Sequence, residues 1–179
     1  MNRTIVILIV IAMLAIGSKA MAQSASLSSS ATIVTPIAAT ATAPLAFGTI
    51  TKGQTSSVAA TTGSAGAVTF SGDESDNITI TIPATATIST TSGAGASMTV
   101  TIDRANLRGN TTTSGTGAVL NATAGSVTTA LSSDASGDAH NSDGLGQLYL
   151  TIGGSVAPTA TQQRGSYSGT FTVSAAYSN

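Results

Sequence analysis

From Gly165 the chain closes on Gly-Ser-Tyr-Ser-Gly-Thr-Phe-Thr-Val-Ser-Ala-Ala-Tyr-Ser-Asn, with Tyr167, Phe171, Val173, Ala175 and Tyr177 on alternate positions and Gly169 the single gap. A period of two belongs to a strand with one buried and one wetted face. This strand holds two of the three Tyr and one of the three Phe of the whole chain. A chain so poor in aromatics has placed them at its end, where they either complete a core or meet another chain. The same period recurs upstream. Ile78, Ile80 and Ile82 alternate with Thr, as do Met98, Val100 and Ile102, and Leu148, Leu150 and Ile152 form a third such row. No segment shows a sustained helical period, and no repeat of fixed length appears. Many short strands separated by Gly, Asp, Asn and Pro indicate a single antiparallel β-sandwich, an all-β fold.

The N-terminus has another pattern. Arg3 is followed by an unbroken apolar run from Ile5 to Ile16, and Ala20-Met21-Ala22 places small residues at the −3 and −1 positions. This is a secretory signal peptide over residues 1–22, cleaved before Gln23. The apolar run is shorter than the roughly 20 residues that span a bilayer. Residues 23–30 read as a flexible lead-in and 31–179 as the sandwich domain. The chain is therefore expected to be exported, to the periplasm, the cell surface or the medium, and to leave the membrane once cleaved.

Composition narrows the function. The mature chain keeps only Lys52, Arg104, Arg108 and Arg164 against seven acids. Four scattered cations make no footprint for nucleic acid or anionic lipid. About a third of the mature residues are Ser or Thr, and there is no Cys. Thiol catalysis, thiolate metal sites and disulfide staples are thereby excluded. His140 is the sole His and is read as a solvated loop residue rather than a triad member with Asp134, Asp138 or Asp143. No G-x-S-x-G elbow or S-x-x-K pair accompanies it. The acid-bearing loops 73–77 and 134–143 lack the calcium-loop pattern and are read as solvated tips. Asn77, Asn110 and Asn121 open glycosylation sequons, which are cheap in a Thr-rich chain. Asp103 with Arg104 and Arg108 is read as an ion pair closing the Met98–Ile102 strand. No cofactor, metal or small-molecule substrate is expected, and no enzyme activity.

Several segments together resemble one family. Ala31-Thr-Ile-Val-Thr-Pro-Ile37 and Leu45-Ala-Phe-Gly-Thr-Ile50 look like the opening of the bacterial domain-of-unknown-function 4402 family. The stretches Leu148–Val156 and Gln163-Arg-Gly-Ser-Tyr-Ser-Gly-Thr-Phe-Thr-Val173, with Tyr177, resemble its close. The Gly-x-Tyr-x-Gly ending is also similar to spore-coat-U-like and chaperone–usher pilin subunits. That wider likeness implies an immunoglobulin-like, pilin-like sandwich and fibre building by strand donation, with a second copy and a periplasmic chaperone and usher as partners. The missing Cys departs from many pilins. The candidate donor runs from Leu27 to Ile37, with Leu27, Ala31, Ile33 and Ile37 on one face; the same segment could equally be the first strand of a complete sandwich. Tyr167, Phe171, Val173 and Tyr177 are the candidate contact or core residues of the closing strand. The reading is a structural subunit of a surface fibre or coat; the alternative is a monomeric secreted binding module or adhesin.

Overall fold

The computed structural model describes residues 27–31, 33, 35–74, 76–90, 95–110, 117–131 and 145–178. The segment read as a signal peptide, His140, and Asp134, Asp138 and Asp143 lie outside the described residues. The chain divides into two compact units, Met1–Ile33 and Val34–Asn179. In the first, the described residues form no strand, and Leu27 and Ile33 are 92% and 95% exposed. Neither is a core residue, because neither sits in a pleated row with a layer to face.

The second unit is all-β, with twelve strands among its described residues: β1 Ala38–Ala43, β2 Ser56–Val58, β3 Gly66–Asp73, β4 Asn77–Thr81, β5 Thr85–Ser89, β6 Ser97–Ile102, β7 Leu107–Asn110, β8 Ala118–Leu120, β9 Ser126–Ala130, β10 Leu145–Ile152, β11 Gly154–Val156 and β12 Ser174–Tyr177. All pairings are antiparallel. One layer has the order β1-β3-β10-β7-β8. The other is built from β2-β11-β6-β5 and β12-β4-β9. These two join because β4 and β5 are successive stretches of one run. Pro83 interrupts it, having no N–H to give to a ladder.

The alternating rows seen in the sequence make the core. Ile78, Ile80, Val100 and Ile102 from one layer meet Phe70, Leu148, Leu150 and Ile152 from the other. Each such side chain contributes about 1.5–3 kcal/mol on full burial. The outward residues of β5 and β6 are Thr and Ser, and they are exposed. The chain thus forms the antiparallel β-sandwich expected of its period-two pattern.

Two boundaries and one side-chain pairing differ from the sequence reading. The first strand starts at Ala38 rather than Ala31, since Pro36 keeps the preceding backbone out of the ladder. Its parity is unchanged: Ile37 packs on the core, and Ala39 is paired with Phe70. Residues 107–110, expected as loop, form β7. Leu107 is fully buried there, and Gly109 lies where a Cβ would press on Leu120 Cδ1 at 2.5 Å. Asp103 accepts hydrogen bonds from Asn106 Nδ2 at 3.0 and 3.2 Å, and Arg108 Nη1 donates to the Gly117 carbonyl. The expected Asp–Arg pair is replaced by these neutral partners.

Candidate functional site: an open groove between two strand edges

The sandwich is not closed on one side. β1 ends the first layer, and β12 ends the second. Among the described residues, neither edge carries a further strand. A cavity of about 1260 Å³ lies here, reached from β1, residues 44–50, and residues 162–173. Its inner wall includes Val68, Ile88, Met98, Val100 and Ile152. A strand edge without a partner, beside a half-buried apolar wall, is a template for another strand.

Residue size explains the opening. Ala39, Ala41 and Ala43 occupy alternate positions of β1 and line the cavity. Ala is too short to reach the facing layer, so this edge leaves the space that Leu or Ile would fill. The turn after β1 bends at Gly48, whose φ of 67° suits glycine. Leu45 and Phe47 follow and line the same space.

The closing strand supplies the opposite wall. It pairs at its start through a bridge between Ser168 and Ser89, with N–H to carbonyl distances of 2.8 and 3.0 Å. It pairs again at its end, where β12 runs along β4. Gly169, the gap in the alternating row, lies against β5. A Cβ there would collide with the Thr87 carbonyl oxygen, so only glycine allows this approach. Phe171, Val173 and Tyr177 pack against the core but remain half-buried. Phe171 and Val173 are uncovered because they face the groove. Tyr167 also lines the groove; its hydroxyl donates to the Gln163 carbonyl at 2.8 Å and accepts from Gln162 Nε2 at 2.9 Å.

The two ends of the groove differ. At one end the Tyr177 hydroxyl donates to the Thr35 carbonyl at 2.7 Å and accepts from the Asp73 N–H at 2.8 Å. Thr35 N–H in turn donates to Asp73 Oδ2 at 2.8 Å. Gly72 leaves the room for this clasp, since a Cβ there would lie 2.5 Å from the Tyr177 hydroxyl. The cavity lining stops short of the clasp, at Ala39 and Val173. The other end is a mouth bordered by Lys52 and Arg164. Tyr177→Phe removes both hydrogen bonds and strands the Asp73 N–H. The expected loss is about 1–2 kcal/mol, read as a melting point lower by about 3–6 °C.

Of the residues singled out from sequence, Ile37, Phe171, Val173 and Tyr177 come together on the core beside the groove, with Tyr167 near its mouth. Leu27 and Ile33 are exposed in the other unit. The Ala row of β1, the clasp and the two rim cations escaped the sequence reading. The Ala row had a signal, three small residues at a strand's spacing; the clasp and the rim unite positions far apart in the chain. Among the described residues no cluster of His, Asp or Glu could hold a metal ion. Asn77 is exposed at the start of β4, and Asn121 Oδ1 accepts the Thr123 N–H, a local turn.

The model of a family described as a domain of unknown function, DUF4402, matches residues 52–177. No curated protein and no solved structure matches the chain.

Proposed function

The chain belongs to the domain-of-unknown-function 4402 family, and from the open groove we propose that it is an exported, non-catalytic structural subunit of a surface fibre or coat. The groove takes an extended strand from another copy. The observation that carries this reading is the pair of unpaired edges, β1 and the closing strand, flanking one apolar cavity. An added strand gains backbone hydrogen bonds along an edge and sets alternate side chains into the space left by Ala39, Ala41 and Ala43. Chaperone–usher pilins, which the closing strand resembles, suggest that a periplasmic chaperone covers the groove before assembly. The likeness to pilins and the signal-peptide pattern support export to the cell surface.

The test is assembly of the mature chain, residues 23–179. Purified at micromolar concentration, it is expected to form oligomers in light scattering and filaments in negative-stain electron microscopy. A chain that stays monomeric at all concentrations would favour the binding-module reading instead.

A further inference from the structure

The groove joins an apolar wall to a positive mouth. Val68, Ile88, Val100 and Ile152 make the inner wall aliphatic, and Phe171 and Val173 of the closing strand lie beside them. Lys52 and Arg164 are two of only four cations in the mature chain, and both line the cavity at its mouth. No acid is among the described lining residues. The fold holds the two cation-bearing segments together. The Gly53 N–H donates to the Pro158 carbonyl at 3.1 Å, and Ala160 lies 3.7 Å from where a Cβ on Gly53 would stand. Both cations are exposed, so an anion can reach them without leaving water.

We propose that the groove of the unassembled subunit holds a free fatty carboxylate, its single alkyl chain along the aliphatic wall and its head group at the mouth beside Lys52 and Arg164. Depth and charge select this ligand. From Ser168 near the mouth, the closing strand runs to Val173, where the lining ends. That is roughly 17 Å at the rise of an extended strand, the length of an alkyl chain of about 12 to 14 carbons. A hydrocarbon tail loses no hydrogen bonds on entering. Each methylene removed from water strengthens binding by up to about fourfold. The carboxylate stays wet beside opposite charge, so no ion is buried. A cationic amphiphile would set like charges together at the mouth. An anionic bilayer fits less well, since two exposed cations make too small a patch for it.

The alkyl chain takes the space beside Ala39, Ala41 and Ala43 that the side chains of an added strand also need. Ligand and strand then exclude each other, and a fatty carboxylate keeps the subunit from assembling. This competition rests on the strand-donation reading above; the binding itself needs no second copy.

Calorimetry tests the site. Dodecanoate, kept below its micellar concentration, is titrated into the mature chain diluted until it sediments as a monomer. One saturable site is expected. Affinity should rise from octanoate to dodecanoate and level off beyond about 14 carbons, where the tail outgrows the groove. Lys52→Glu/Arg164→Glu should weaken dodecanoate at least about tenfold at low salt and turn the preference to dodecylammonium. Both side chains are exposed, so the melting temperature should stay within about 2 °C. Ala41→Phe, which fills the tail space, should weaken either amphiphile. No saturable binding of dodecanoate at millimolar concentration would overturn the proposal. Equal binding by the original and charge-reversed chains would also overturn it, as adventitious partition of the tail. So would binding to phosphatidylglycerol vesicles that the charge reversal abolishes, which would make the ligand a membrane lipid. Light scattering reads the competition separately. Saturating dodecanoate should dissolve oligomers of the mature chain, and oligomers that persist with dodecanoate bound would overturn the shared groove. A mature chain that never assembles removes strand donation and leaves the fatty-carboxylate site to be decided by the titration.

Discussion

Replacing Leu27 and Ile33 together by Asp is expected to abolish oligomers of the mature chain while leaving its melting temperature as a monomer within about 2 °C of the original. Both side chains are almost fully exposed, so the monomer loses no packing. Exposed substitutions of this kind change stability by about 0.5 kcal/mol or less. In the proposed assembly the same side chains would fill the groove. Their burial is worth about 3–6 kcal/mol together, a factor of roughly 10²–10⁴ in association. The Asp carboxylates add the cost of entering an apolar wall without partners. Sedimentation or light scattering reads the association, and a thermal melt reads the fold. Oligomers that persist in the double variant would show that this segment is not the occupant.

Phe70→Ala is expected to have the reverse profile. Phe70 is 0% exposed and lies at the centre of β3, paired with Ala39 on one side and Leu148 on the other. It is one of the largest fully buried side chains, and its neighbours are strand residues whose positions are fixed by ladders. The layers cannot collapse readily into the space, so truncation costs about 3–5 kcal/mol. For a unit of this length that lowers the melting temperature by about 10–15 °C. Any loss of assembly then follows from the fold. A melting point within 3 °C of the original would mean that the two layers are not packed around this ring.

The contrast between these two substitutions separates what could be read from the sequence and what could not. Rows such as Ile78-Ile80-Ile82 and Leu148-Leu150-Ile152 carry their structure in their own spacing, and the strands and core follow from them. Family membership was legible in the closing stretch, because its Gly and Tyr positions are local. The boundaries of the first strand were not, since Pro36 decides where pairing starts and its effect depends on the partner strand. β7 was hidden because a single Leu and a Gly make too short a pattern; Gly109 is there for the approach of Leu120, which only the fold brings near. The continuous closing strand turned out to pair at its two ends. It needs Gly169 to lie on β5, beyond the break at Pro83. The groove has the weakest local signature. Ala39, Ala41 and Ala43 read as an unremarkable small-residue strand until the facing layer is in place. The placing of Lys52 and Arg164 on one cavity lining, and the meeting of Thr35 with Asp73 and Tyr177, join residues that no local pattern links. Topology alone creates the mouth and the clasp.

The central claim is that the groove between β1 and the closing strand is completed by the N-terminal segment of another copy. It is tested most directly by supplying that segment as a free peptide. The chain beginning at Val34, which retains the whole second unit, is mixed with a synthetic peptide of residues 23–37. Hydrogen exchange is followed by mass spectrometry and unfolding by a thermal melt. Saturating peptide, at about 100 times its dissociation constant, is expected to stabilise the unit by about 2.7 kcal/mol, a rise of about 8 °C in melting temperature. Exchange should slow at residues 39–43 and 169–173, the two edges of the groove, and a peptide with Asp at positions 27 and 33 should do neither. Unchanged exchange at both edges with the unmodified peptide at millimolar concentration would contradict the claim.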